Sequence, residues 1–274
     1  MGSVGVGKNM AGITQDPTET GLNAPLQARN QELQNRVAQL EERLRLEARR
    51  AAAAESELSS LLHYISHDLR APLRGIDGYS RALMEDYDTR LDEMGKAYLQ
   101  YIFESSARLN QLIDGLLKYS RIIRHELEIS SIDLSEMAAE ISQDLKTKQP
   151  QRVVECSITP GLVVDADVEM AYILLKSLLE NAFKFTSKHP TAHIEFGKTE
   201  QNGQPVFFVR DDGVGFDMAY QEQLFQPFQR LHGQHEFEGI GLGLATAQRI
   251  IQRHHGRIWG EGALEKGATF YFVI

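Results

Sequence analysis

From Leu26 onward the apolar positions recur at alternating steps of four and three: Leu26, Asn30, Leu33, Val37, Leu40, Leu44, Glu47, Ala51, Ala54, Leu58, Leu61 and Ile65. This heptad rhythm predicts a long helix with a coiled-coil seam. Asn30, Val37, Leu44, Ala51, Leu58 and Ile65 take position a, and the others take d. Small or β-branched residues at a with Leu at d favour two strands, and a single Asn at a fixes parallel register. The flanking charges agree. In a parallel pair Arg36 meets Glu41 and Arg50 meets Glu55 across the seam, whereas antiparallel helices would bring the g-position arginines together. The pattern predicts a parallel dimer; a single solvated amphipathic helix is the alternative.

The rhythm slips at "YISHDLRAPLRG", residues 64–75, where Leu61, Ile65 and Leu69 follow at two successive steps of four. An inserted four is a stutter, which locally unwinds a coiled coil. At about 100° per residue, His67 lies about 200° from both Ile65 and Leu69, so it points away from the seam. Pro72 removes a backbone hydrogen bond just beyond and predicts a kink. Residues 85–94 are polar and read as a connection. A second helix then offers Leu99, Ile102, Leu109, Ile113 and Leu116 at heptad spacing, with Ser106 filling one place. Two helices joined by a short loop, doubled in a dimer, make a four-helix bundle with His67 on its outer face.

After about residue 126 the texture changes to short strands and helices. "LEISSIDL" reads as a strand, and Asp133 with Glu136 as a capping box for a helix to about Lys146. "RVVECSI" and "LVV" are short strands, and 167–186 is a long apolar helix. Residues 193–213 form a hairpin turning at Asn202-Gly203. A helix over 242–255 and the strands "GRIWGEG" and "GATFYFVI" complete the pattern. The order predicts an α+β sandwich with helices on one face of a mixed sheet.

Composition narrows the choices. The 274 residues, 42% hydrophobic and 24% charged, suit one to three domains. No apolar run approaches the roughly 18 residues a membrane span needs, no secretory leader is recognisable, and the expected setting is cytoplasmic. The lone Cys156 excludes a disulfide framework. The net charge of −9 argues against nucleic acid as a partner. Gly2, Gly7 and Lys8 imitate a phosphate loop. Asn9 stands where Ser or Thr is required, however, and Asp16, Pro17 and Gly21 interrupt the helix that should follow, so residues 1–25 read as a disordered leader. Val at position 6 likewise breaks the myristoylation pattern.

Five blocks in the second half carry candidate chemistry. "LLENAFKFT" places Glu180, Asn181 and Lys184 near the end of an apolar helix. "VRDDGVGFD" follows a strand, with Gly213 and Gly215 permitting close backbone approach to a ligand. "LFQPFQRL" sets Phe225 and Phe228 before Arg230. "EGIGLGLA" puts Gly239, Gly241 and Gly243 ahead of a helix, where amides and the helix start can cradle phosphates. "KGATF" closes the set.

In this order, behind an exposed His-Asp pair, the blocks resemble the H, N, G1, F, G2 and G3 boxes of sensor histidine kinases of two-component systems. The likeness covers roughly 60–274, and "SHDLRAPLRGIDGYSRAL" with "FQRLHGQHEFEGIGLGLA" is similar to the kinase modules of bacterial phytochromes. It implies a dimerisation and phosphoacceptor hairpin followed by a Bergerat-type ATP-binding domain. His67 is then the phosphoacceptor and Asp68 its base or orienting partner. Asn181 holds Mg²⁺, Lys184 contacts phosphate, and Asp211 accepts from the adenine amino group. Gly213, Gly215, Gly239, Gly241 and Gly243 shape the pocket and lid, with Arg230, Leu244 and Thr269 completing the ATP-binding set. Phe225 and Phe228 anchor the lid to the core.

Three positions depart from the family pattern: Ala71 where phosphatase-active members carry Thr or Asn, Ser177 where a second Asn is common, and Ile240 where the lid has Thr or Ser. The expected organisation is a leader 1–25, a coiled-coil signalling helix 26–62, a phosphotransfer hairpin 63–126 and an ATP-binding domain 127–274. The expected activity is ATP-dependent phosphorylation of His67 in a homodimer, then transfer to an aspartate of a separate response regulator. No receiver or sensor segment is recognised. The alternatives are an ATP-binding dimeric scaffold that regulates another kinase and, last, an ATPase of the gyrase and chaperone group.

Overall fold

The computed structural model describes residues 17–274 apart from 202, 234 and 235. The phosphate-loop imitation at Gly2–Lys8 and the rest of residues 1–16 lie outside them. Helix α1 begins at Pro17, within the segment expected to be a leader, and runs to Tyr87. Proline suits the first turn of a helix, where its missing N–H would have no partner. Pro72 does not end α1 either.

The chain divides into two units, residues 1–55 and 56–274. In the first, Leu33, Val37, Leu40 and Leu44 stand half exposed or more along the predicted seam. Arg29 and Arg50 pair with Glu32 and Glu47 on their own helix.

In the second unit α1 turns at 88–92 into α2 (Glu93–Arg124), whose N-cap Asp92 accepts from the Gly95 amide. The seam inside this hairpin is not the apolar stripe the sequence suggested. Ser59, Ser66, Leu73 and Ser80 are buried on α1, with Leu99, Ser106, Ile113 and Ser120 buried on α2. Both sets repeat every seven residues. Ser59 and Ser120 exchange hydrogen bonds, 2.5 Å between hydroxyls, which sets an antiparallel register of small against large in the layers below. The hydroxyls of Ser66 and Ser106 find no partner there. Leu61, Ile65, Leu69, Ile76 and Leu83, with Ile102 and Leu109, remain on the surface instead. Small residues let the two backbones close together and leave the apolar stripe free for another surface.

The second half of the chain is a two-layer α/β arrangement. Strand β1 (Ile129–Asp133) pairs antiparallel with β3 (Val163–Asp167). A five-stranded sheet runs in the order β2 (Val153–Ile158), β4 (Thr191–Gln201), β5 (Gln204–Asp211), β7 (Ala268–Val273), β6 (Arg257–Gly262). Only β2–β4 is parallel. Helices α3 (Leu134–Lys148), α4 (Val168–Phe185) and α5 (Gly243–Arg253) cover its inner face around a core that includes Leu174, Leu178, Phe196, Phe272 and Ile250. Asp133 caps α3 as predicted, accepting from the amides of Ser135 and Glu136.

A polar clasp ties α2 to this domain. Arg253 donates to the Ile122 carbonyl at 2.5 Å, satisfying an acceptor of the last turn of α2. Asp167, the N-cap of α4, accepts from the Met170 and Glu128 amides and pairs with His125 at 3.0 Å. Burial opposes its charge, but these donors hold its carboxyl below the usual carboxylate range. Among the described residues no helix is long and apolar enough to cross a membrane.

Candidate active site

Helix α4 divides its surface cleanly. Leu174, Leu175, Leu178, Leu179 and Ala182 enter the core, while Ser177, Glu180, Asn181 and Lys184 share the opposite face at helical spacing and line a cavity of about 320 Å³. The cavity's second wall is the end of β5. Strand alternation puts Phe207, Val209 and Asp211 on the inner face, so Asp211 is carried into the domain and left only 4% exposed. Burial pushes its carboxyl up to about 7, although the amides of Gly213 and Ala268 counter this by donating to it. A side chain at Gly213 would press within 2.5 Å of the Phe185 carbonyl, which explains the glycine.

Lys184 stands 4.3 Å from the Phe185 ring centroid. Its ammonium is lowered to about 8 by burial and then by the positive charge of Arg230. The side chain of Asn181 makes no hydrogen bond among the described residues, so its amide is available to a ligand.

The third wall is the lid, formed by the described residues of 228–233 and 236–243. Arg230 gathers it from inside, donating to the carbonyls of Gly239 at 2.8 Å, Gly233 at 3.4 Å and Phe237. Gly241 has φ +75° and accepts from the Phe228 amide at 2.9 Å; a side chain there would strike Gln229 and Phe228. Gly215, Gly239, Gly243 and Leu244 also line the cavity, and Gly243 begins α5. Thus Asn181, Lys184, Asp211, Gly215, Arg230, Gly239, Gly241, Gly243 and Leu244 converge, while Gly213 acts through Asp211.

Thr269 does not join them. Alternation along β7 sends Ala268 and Phe270 inward and Thr269 outward, where Arg210 donates to its hydroxyl at 3.4 Å. Nor does Phe228 anchor the lid by burial, since its side chain is 47% exposed and only its backbone is tied in. Phe225 does pack against the core. Sequence reasoning passed over Phe185, His232 and Phe237, whose rings cluster 5.1–5.5 Å apart against the cavity. His232 donates to the Gly215 carbonyl at 2.9 Å. The spacing of His and Phe through "RLHGQHEFEG" was the available signal.

His67 and Asp68 stand apart from this cavity, 82% and 85% exposed, with Nδ1 of the ring 3.3 Å from Oδ1 of the acid. A proton on Nδ1 directed at Asp68 leaves Nε2 as the bare nitrogen facing solvent.

No cluster of three His, Cys, Asp or Glu able to hold a metal exists among the described residues. The oxygens of Asn181 and neighbouring Glu180 fit a hard ion such as Mg²⁺, which commonly takes one or two protein ligands beside phosphate oxygens and water.

Comparison with known proteins follows the same division. The model of the His Kinase A (phospho-acceptor) domain matches residues 57–124. The model described as histidine kinase-, DNA gyrase B- and HSP90-like ATPase matches 166–274. Cyanobacterial phytochrome B of Nostoc sp. is 36% identical over 224 residues, 81% of this chain and 30% of its own. Phytochrome-like protein Cph1 of Synechocystis sp. is 30% identical over 241 residues, 88% of this chain and 32% of its own. The chain therefore spans about a third of the length of these relatives. Full-length ShkA, crystallised in complex with AMPPNP, superposes with a TM-score of 0.56 at 24% identity, over 78% of this chain and 45% of that one. That likeness is one of fold.

Proposed function

This chain belongs to the histidine kinases, and from that premise we propose that it binds ATP in the α4–β5–lid cavity and phosphorylates His67. The supporting observation is that one cavity gathers a buried carboxyl, an unengaged amide, a lysine and a glycine lid, in a chain that displays a His-Asp pair to solvent. Asp211 accepts from the adenine amino group. The triphosphate runs toward Lys184, the lid amides and the first turn of α5, where helix amides favour anions. Asn181 offers its amide oxygen to Mg²⁺, which when bound neutralises charge on the β- and γ-phosphates.

In the transfer, Nε2 of His67 attacks the γ-phosphorus, an N–P bond forms, and the P–O bond to ADP breaks. Asp68 stabilises the positive ring and receives the Nδ1 proton. The phosphoryl group then passes to an aspartate carboxylate of a separate response regulator as the N–P bond breaks, and Asp68 returns its proton to the ring, restoring the neutral imidazole. The exposed apolar stripe of the hairpin and the heptad of the first unit support a parallel homodimer, a cytoplasmic setting being part of the same reading. Ala71 supplies no hydroxyl or amide one turn from His67 to hold a hydrolytic water, so this site is built to receive and pass on phosphate.

The test is incubation with γ-labelled ATP and Mg²⁺, comparing His67→Gln and Asn181→Ala. Acid-labile, alkali-stable label, lost in both variants, is the expected result. Bound nucleotide without label would favour the scaffold reading.

A further inference from the structure

Ile240 occupies the lid position where the family pattern has Thr or Ser; it borders the nucleotide cavity, yet its side chain reaches away to a second partner. Its partner lies on α2. Gly115 sits in the interior of that helix, where glycine weakens a helix relative to alanine and so calls for a reason. A Cβ at Gly115 would overlap Cδ1 of Ile240 and lie 2.8 Å from Cδ1 of Leu242. Ile113 and Leu117, two residues to either side, turn in toward α1, so Gly115 turns out. The missing side chain forms a socket, and Ile240 fills it.

The loop that presents Ile240 is braced on both sides. Gly239 and Gly241 carry positive φ of 131° and 75°, Arg230 holds the Gly239 carbonyl, and Leu242 is buried to 4% exposure. Asp114, adjacent to the socket, pairs with Arg70 of α1 at 2.6 Å. Gly115 is thereby set about one helical turn from the level of His67, but on a different face of the hairpin. His67 itself stays uncovered.

We propose that Ile240 is a positioning residue: seated on Gly115 it parks the nucleotide lid on α2, and phosphoryl transfer to His67 requires that contact to open. The proposal rests on the kinase reading above. Opening the contact raises the fraction of molecules whose ATP-binding domain is free to approach His67 and leaves the nucleotide contacts themselves unchanged.

The full chain tests this with Gly115→Leu, which fills the socket with a better helix former, and Ile240→Ala, which removes the key. At saturating ATP each raises the initial rate of His67 labelling by about threefold or more, and the KM for ATP of Gly115→Leu stays within about twofold of the parent. The double variant is no faster than the faster single, because both changes remove one contact. Amide hydrogen exchange over residues 237–243, measured without nucleotide, quickens in Gly115→Leu. A fall in labelling rate in that variant would make the seated state the transfer-competent one and overturn the proposal. Unchanged lid exchange would overturn it too, by showing that the contact does not form in solution. A parent chain that binds ATP yet never labels sinks the kinase reading and the parking role together, and the exchange comparison still reports whether the lid docks.

Discussion

Asp211 and Lys184 are placed so that burial moves both toward neutrality in opposite directions, to about 7 and about 8. On the proposed reading the adenine amino group needs the ionised Asp211, which acid removes. Adenosine, which has no phosphate to titrate, should therefore bind about tenfold more weakly at pH 6 than at pH 8, and Asp211→Asn should abolish that dependence; calorimetry reads both. Lys184 works in the other sense. Its charge is complete below about pH 8 and lost above, so ADP should lose affinity between pH 7 and 9 in a way that Lys184→Met does not. At this scale the sequence was informative wherever period-two alternation could be applied. "FVRDDG" sends Asp211 inward with Val209, and the same counting through "GATFYF" sends Thr269 outward, which the family likeness alone missed. The lid aromatics obey no helix or strand period, so their only trace in the sequence is the run of His and Phe in "RLHGQHEFEG", and the structure shows them gathered on Phe185.

Among the elements, the helical hairpin departs most from its pattern. Apolar periodicity identified a real stripe, yet the surface closed within the chain is a serine-rich one at a neighbouring phase. Hydrophobicity could not reveal this, because small polar residues mark a close approach through their size. Ser66→Ala removes a buried hydroxyl without a partner and should raise stability by about 1 kcal/mol, whereas Ser66→Leu overfills the seam and should cost about 1–3 kcal/mol, both by urea unfolding. Asp167→Asn loses a charged cap and the His125 pair, for an expected loss of about 1–2 kcal/mol. Because the folded pKa of Asp167 lies below its unfolded value, its contribution is present above the ordinary carboxylate range and fades as pH falls through the folded pKa.

At the scale of the molecule, two apolar surfaces remain open in the single chain: the seam of residues 33–44 and the stripe of the hairpin. Light scattering should give a mass near twice 30.9 kDa, and Leu44→Asp should shift it toward the monomer; a monomeric parent at micromolar concentration would refute the dimer. The sequence order of domains was legible because each half has its own period. The fastening between hairpin and ATP-binding domain was not, since it depends on individual contacts that follow no period: Arg253 on the Ile122 carbonyl, Asp167 with His125, and Ile240 on Gly115. Helix α5 shows what that fastening implies. Its first residue belongs to the cavity-lining lid, and its last, Arg253, caps a carbonyl at the foot of α2. At about 1.5 Å per residue it is a stiff strut some 16 Å long with the cavity at one end and the foot of α2 at the other. Lid and hairpin are thus joined by a route along one helix that does not pass through the sheet at all.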